Sequence, residues 1–269
     1  MSRRRARQWA GHSVEALRRR WGGRPVYAYG RVDSTNAAAR ELAEAGKPQG
    51  TVVVAREQSS GRGRGERAWL SPPGGLYLSM IFRPRGMVVS PLTSVLAALG
   101  IVQALDGAFA ELRPRLKWPN DIVAAGRKLG GVLPEATSGE AEVRHLVVGV
   151  GINVKPIGAR APADVGRWAT SLAERLDRRV ELVEVADAVV AGLERYLDRP
   201  SATADAATLE ALDRYDWLKG RRVRVGPEGS WDRTPGLGVG IAPDGALLFR
   251  PDRGALRRLS SGSAEVETE

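Results

Sequence analysis

Cysteine is absent from this 269-residue chain, and histidine occurs only twice, as His12 and His145. The first absence removes disulfides, thiolate metal sites and cysteine nucleophiles together. The second leaves too few imidazoles for a histidine-rich metal centre. No run of about 18 apolar residues occurs, so no helix long enough to span a membrane is expected. The basic N-terminus, Met1 to Arg7, is followed by no apolar stretch of a secretory leader. These absences point to the cytoplasm. Two phosphate-binding signatures are missing as well: Gly-x-x-x-x-Gly-Lys-Ser/Thr, and the dinucleotide spacing Gly-x-Gly-x-x-Gly. A nucleotide site here is therefore neither a P-loop nor a Rossmann turn.

What remains is ordinary for a globular protein: 43% apolar residues and length for one large domain, or one large and one small. The net charge of +10 comes largely from scattered arginines. It suits an anionic partner, or simply a soluble basic surface.

Periodicity predicts a short helix from Ser13 to about Trp21 and a strand over Pro25–Tyr29. An alanine-rich helix over Asn36–Glu44 follows, capped at Asp33, Ser34 or Thr35. Thr51–Ala55 and Leu76–Phe82 read as strands. Residues 58–75 are too rich in Gly, Arg, Ser and Pro for regular structure. Ser90-Pro91 starts a helix of about five turns that Pro114 ends. Leu116–Val123, Lys128–Ala136 and Val143–Val154 read as strands, and helices are expected near 169–177, 181–198 and 205–217. From residue 218 to 265, short β-like runs split by Gly, Pro and Asp suggest a small barrel-like domain, with a frayed polar tail over 260–269. Hairpin-joined strands favour α+β over a parallel doubly wound sheet, with residues 1–217 as the main domain.

Four stretches carry the chemistry. In Gln58–Trp69, Gly61, Gly63 and Gly65 alternate with Arg62 and Arg64, followed by Arg67 and Trp69. Glycines let backbone N–H groups approach a ligand, arginines suit phosphate and carboxylate, and Trp69 offers a face for stacking. Taken alone, the stretch is equally a solvated basic loop or an Arg-Gly patch for RNA. Lys117-Trp118-Pro119-Asn120-Asp121 is a proline-fixed bend whose Asp121 suits a magnesium ion or a proton, or no ligand at all. Lys128 precedes Gly130-Gly131, a cation beside a bare backbone. Gly149-Val150-Gly151-Ile152-Asn153 puts two glycines and an amide at a strand end, for close ligand approach or a bulge.

Together with Asp33-Ser34-Thr35-Asn36, these motifs stand in the order found in bacterial biotin protein ligases, which the sequence resembles over residues 33–153. Gly238–Ile241 and Asp244–Leu248 resemble that family's C-terminal module. The resemblance implies a class II synthetase-like mixed sheet followed by an SH3-like barrel. It implies biotin contacts at Ser34, Thr35, Asn36, Gln58, Gly61, Arg62, Gly63, Arg64, Gly131, Gly149 and Gly151. Lys128 would sit on the carboxylate and phosphate during activation. Arg64, Arg67, Trp69, Asn120 and Asn153 would meet ATP, and Asp121 would meet magnesium or the phosphates. Lys128, Arg64 and Asp121 would be the catalytic set. The implied partner is a biotin carboxyl carrier protein, and the implied assembly a monomer or a homodimer that pairs sheet edges. Two features depart from the family: Glu66 stands where many members have a small residue, and only 32 residues precede Asp33, too few for a DNA-binding helix-turn-helix. The expectation is a ligase without a repressor function. The competing readings are a lipoate or octanoate ligase and a basic, biotin-responsive regulator.

Overall fold

The computed structural model describes residues 4–65, 67–84, 90–138, 143–157, 168–197, 202–227 and 233–267. Glu66 lies outside them. A short pair, β1 (Gln8–Trp9) and β2 (His12–Ser13), precedes α1 (Val14–Arg20). A seven-stranded sheet follows from β3 (Val26–Val32), β4 (Val52–Gln58), β5 (Leu76–Phe82), β6 (Arg115–Lys117), β7 (Asp121–Ala124), β8 (Arg127–Ser138) and β9 (Val143–Ile152). Its order is β3-β4-β5-β9-β8-β7-β6. Only β3 and β4 run parallel; every other neighbouring pair is antiparallel. The α+β expectation therefore holds.

Strand alternation assigns the two faces of the sheet. Val53 and Ala55 of β4 pack with Ala38, Ala39 and Leu42 of α2 (Thr35–Glu44). Val52 and Val54 pack on the other side, into the main core with α3 (Pro91–Ala108) and Leu182–Leu197, numbered α5 after the four-residue α4 (Leu172–Arg175). Ser34 caps α2 by accepting the Ala37 N–H at 3.4 Å. Pro91 begins α3 where its missing N–H has no intrahelical partner to lose. Contrary to the sequence expectation, α3 has the length and apolar composition of a membrane span. It is 61% buried inside the molecule, which makes it the central core helix.

Where α3 crosses α5, two glycines meet. A Cβ on Gly100 would lie 2.0 Å from the Gly192 carbonyl oxygen, and one on Gly192 would lie 2.6 Å from that of Gly100. Gly100→Ala is expected to force the helices apart and cost about 1–3 kcal/mol. The urea midpoint measures this; a variant that unfolds with the wild type would show that the crossing yields freely.

The last helix, α6 (Ala206–Tyr215), leads into a five-stranded antiparallel sheet. It comprises β10 (Arg222–Gly226), β11 (Thr234–Ile241), β12 (Leu247–Pro251), β13 (Arg257–Leu259) and β14 (Ser263–Val266), in the order β13-β12-β11-β10-β14. Its buried Val223, Leu247 and Phe249 belong to the same core as Leu116 and Trp118. Trp118 donates from Nε1 to the Gly245 carbonyl at 2.9 Å, so the last sheet is fastened to the first.

Other expectations need correction. Leu116–Val123 is two strands, because residues 118–120 turn the chain and pair Lys117 with Asp121. The tail expected to fray contains β14, in which Ala264 is buried and pairs with Val225. The helix expected near 169–177 is only the single turn α4.

Candidate active site

The ends of β4, β8 and β9, the start of α2 and the β6–β7 turn converge on one cavity. Its polar floor is built from α2. Ser34, Thr35 and Asn36 are all buried. The Thr35 N–H, one of the four that a helix leaves unbonded at its start, donates to Gln58 Oε1 at 2.8 Å. Gln58 Nε2 donates to Ser71 Oγ at 2.8 Å. Asn36 Nδ2 donates to Glu135 Oε2 at 2.7 Å and to the Leu133 carbonyl at 3.1 Å. Its Oδ1 carries no proton, so Ser79 Oγ donates to it at 2.6 Å.

Glycine makes this floor possible. A Cβ on Gly149 would lie 2.1 Å from Asn36 Oδ1, and one on Gly151 would lie 2.5 Å from the Trp69 ring. The two glycines of β9 seat an asparagine and a tryptophan on the sheet. Gly131 adds a bare stretch beside Asp121.

The Gly-Arg segment folds back on itself over this floor. Trp69 N donates to the Gly61 carbonyl at 2.9 Å, Gly63 N donates to the Arg67 carbonyl at 2.7 Å, and Arg62 pairs with Ala68. Gly65 sits at φ +62°, where a side chain would be strained. Arg62 reaches Glu135, and Arg64 Nη2 donates to the Gly262 carbonyl at 2.6 Å, across to the β13–β14 turn. Gly61 does not line the cavity: a Cβ there would lie 2.4 Å from the Trp69 carbonyl, so it closes the neck of the loop.

Charge gathers opposite the floor. Lys128 Nζ lies 2.6 Å from Asp121 Oδ1 and 5.4 Å from the centre of the Trp69 ring. Lys117 stands opposite Asp121 across the β6–β7 turn. Burial pushes the Lys117 ammonium below the usual lysine value; Asp121 opposes that shift and Lys128 adds to it. Asn120 anchors the turn by donating from Nδ2 to the Val132 carbonyl at 2.7 Å. Among the described residues, Arg62, Arg64, Arg67, Lys117 and Lys128 line the cavity with two carboxylates, Asp121 and Glu265. The excess of positive charge suits a substrate carrying several negative charges.

Trp69 and Lys128 also border a second, more apolar pocket with Asn153, Ile157 and Trp168. Asn153 does not reach the first cavity. It is buried and donates from Nδ2 to the Thr170 carbonyl at 3.0 Å, holding the chain after Trp168. Trp168 is 58% exposed, and Trp69 Nε1 has no hydrogen-bond partner among the described residues.

The cavity thus unites the residues expected from sequence except Gly61 and Asn153. Sequence inspection missed Trp168, whose signal was a tryptophan in a Gly/Pro-rich stretch. It also missed Gly262–Glu265, because that tail was taken for frayed chain. The arginines of the loop line the cavity.

Residues 29–153 match the model of the biotin/lipoate A/B protein ligase family. The biotin–[acetyl-CoA-carboxylase] ligase of Paracoccus denitrificans is 33% identical over 237 residues, covering 83% of this chain and 93% of that protein. The chain belongs to this ligase family. The bifunctional ligase/repressor BirA of Bacillus spizizenii is 37% identical over 170 residues, 62% of this ligase-family chain, which spans about half (52%) of that relative. A biotin protein ligase of Aquifex aeolicus, solved in complex with biotin and ATP, superimposes with a TM-score of 0.69 at 27% identity. That match covers 91% of this ligase-family chain and 99% of the other.

Proposed function

We propose that this protein activates biotin with ATP and transfers it to a lysine of a biotin carboxyl carrier protein. One observation carries the reading: a single cavity joins a fixed amide-and-hydroxyl floor, suited to a neutral polar ring, to five cationic side chains. Biotin has a polar head and an anionic tail. The similarity to biotin ligases, one of them holding biotin and ATP, supports the same assignment.

In the first step a biotin carboxylate oxygen attacks the α-phosphorus of ATP. The bond to the β-phosphate breaks, and pyrophosphate leaves. Two anions must meet, and Arg62, Arg64 and Lys128 offset their repulsion and the charge of the transition state. Ser34, Thr35, Asn36 and Gln58 hold the head group, Gly63 and Gly131 leave it room, and Gly149 and Gly151 act through the Asn36 and Trp69 they seat. Trp69 and Trp168 flank the apolar pocket in which an adenine ring fits, near Asn153, with Arg67 and Asn120 on the nucleotide side. In the second step the acceptor amine attacks the carbonyl of the mixed anhydride, and AMP leaves. The attacking amine must lose a proton, and the carboxylates lining the cavity among the described residues are Asp121 and Glu265.

Magnesium belongs to this reading as an ion carried mainly by nucleotide phosphates. No cluster of three or more metal-ligating side chains exists among the described residues, and Asp121 supplies the single carboxylate such an ion needs from the protein. When bound, it neutralises phosphate charge.

The reading extends to architecture and setting. Residues 1–217 form a class II synthetase-like ligase domain, and residues 218–265 an SH3-like barrel, an assignment supported by the five antiparallel strands. Self-association would pair sheet edges, and the outer strands of the large sheet, β3 and β6, each already take one backbone bond from a neighbouring segment, Ala6 N to the Ala28 carbonyl and Trp217 N to the Leu116 carbonyl. The need for ATP suits the cytoplasm.

Arg64→Gly is expected to let the adenylate escape and label lysines of bystander proteins. Streptavidin blotting of a reaction with added albumin reads this directly; labelling confined to the carrier would refute closure by Arg64. Calorimetric titration with biotin and with lipoate separates the two substrates of the family, and heat from lipoate alone would overturn the biotin assignment.

A further inference from the structure

Several arginines outside the cavity are neutralised where they stand: Arg20, Arg24, Arg222 and Arg258 each meet an aspartate or a glutamate. The N-terminal segment differs. Arg4, Arg5 and Arg7 are exposed and pair with no carboxylate among the described residues. Arg5 lies instead over the Tyr27 ring, 4.6 Å from its centre. Two adjoining hollows share Arg5, Ala6 and Arg7; Arg18 lines the first, and Arg4 and Arg31 line the second. Among the described residues the two hollows hold five arginines and one carboxylate, Glu15, which Arg18 and Arg19 share at 3.7 and 3.5 Å. Arg31 has only a long contact of 3.9 Å to Glu57, and the Nε of Arg18 is buried without a hydrogen-bond partner among the described residues.

The sheet ties this patch to the cavity. Arg5 bridges to Tyr29, and Ala6 N donates to the Ala28 carbonyl at 2.8 Å, so the segment lies along β3. Further along the same strand Arg31 pairs with Glu57 and Val32 with Gln58, and Gln58 belongs to the polar floor. From Tyr29 to Val32 is about 10 Å of strand. A protein docked through about 800 Å² of its surface covers a span roughly 30 Å across. One partner can therefore rest on the patch and reach the cavity.

We propose that this arginine patch is a docking surface for the carrier protein, engaged by carboxylates that the carrier presents beside its acceptor lysine. The inference rests on the ligase reading for the identity of the partner; the patch itself does not. Guanidinium forks pair with carboxylates two bonds at a time. The chemistry also calls for such a guide. The acceptor lysine brings a positive charge towards a cavity lined by five cationic side chains, and carboxylates around it, met by the arginines, offset that repulsion. A nucleic acid fits the patch less well. Single strands gain much of their affinity by stacking bases on open aromatic faces, whereas Tyr27 is covered by Arg5 and Tyr29 is buried.

The test measures binding and chemistry separately, with a purified biotin carboxyl carrier domain as the partner. Arg4→Glu with Arg7→Glu reverses two exposed charges and leaves Arg5 on Tyr27. Its Kd for the carrier, read by interferometry, and its KM for the carrier in biotin transfer are expected to rise about tenfold. Biotin-dependent pyrophosphate release without carrier should keep the wild-type rate. Arg4→Lys with Arg7→Lys retains the charge and should bind the carrier like the wild type. Raising salt from about 0.1 M to about 1 M shortens the screening length from about 10 Å to about 3 Å, which should weaken the wild type and bring it level with the reversal variant. Equal Kd values at about 0.1 M salt, a difference that survives about 1 M, or a wild type that binds no carrier would overturn the proposal. So would a mobility shift of a single-stranded oligonucleotide that the reversal abolishes while carrier binding is unchanged, which would assign the patch to nucleic acid. A wild type that binds the carrier through the patch but releases no pyrophosphate would refute the proposed activity and leave the docking surface intact.

Discussion

Lys128→Ala should lower biotin-dependent pyrophosphate release by about 10²–10³-fold, the usual loss when one donor to a developing anion is removed. The expectation follows from position. The ammonium stands between Asp121, at 2.6 Å, and the face of Trp69, at the junction of the polar cavity and the apolar pocket. A carboxylate entering from one side and a phosphate from the other both meet it. The fold should survive, because the side chain is partly exposed and the neighbouring backbone bond, Thr170 N to the Lys128 carbonyl, does not depend on it. An ion pair this exposed contributes about 1 kcal/mol or less to stability. Pyrophosphate release is therefore measured beside a thermal melt. Wild-type release from the variant would remove Lys128 from the chemistry, and collapse of the melt would show that its role is structural.

Trp118→Ala should give the largest loss of stability, about 3–5 kcal/mol. That is a large part of the 5–15 kcal/mol typical of a folded domain. Trp118 is 1% exposed and packs in the core shared by the two sheets. Truncation leaves a cavity and also strands the Gly245 carbonyl that its Nε1 serves. Trp118→Phe fills most of the space but leaves the carbonyl unpaired, so a smaller loss of about 1–3 kcal/mol is expected. Urea unfolding followed by tryptophan fluorescence and by circular dichroism reads both variants. Midpoints within about 0.5 kcal/mol of the wild type would mean that the sheets are not fastened there.

Much of this site was legible because its residues are chosen for chemistry and not for propensity. Ser34-Thr35-Asn36, the Gly-Arg loop, Lys128 and the Gly149/Gly151 pair all stand out against a plain α+β background. Five features were not legible, each for its own reason. The alternation of Leu116, Trp118 and Ile122 runs through Pro119, so one strand was expected where the chain turns and two strands face each other. Ser263–Val266 offers only Ala264 and Val266 as apolar residues, too few for periodicity to register, yet those residues complete the last sheet. Strands β1 and β2 are two residues each, shorter than any pattern. The glycines of β9 were open to two interpretations from sequence, close ligand approach or a bulge. They instead make room for Asn36 and Trp69, a relation between residues more than 80 positions apart in sequence that no local pattern contains. The apolar composition of α3 was also misjudged in one respect, since Thr93, Ser94, Gln103 and Asp106 interrupt the run without preventing the helix from matching a membrane span in length and composition.

The central claim is tested most directly by incubating the purified protein with labelled biotin, ATP and a purified biotin carboxyl carrier domain, then counting label on the carrier. The account predicts label on one carrier lysine, dependent on ATP, with AMP and pyrophosphate formed in equal amounts. An unlabelled carrier, with label instead transferred from labelled lipoate, would contradict it.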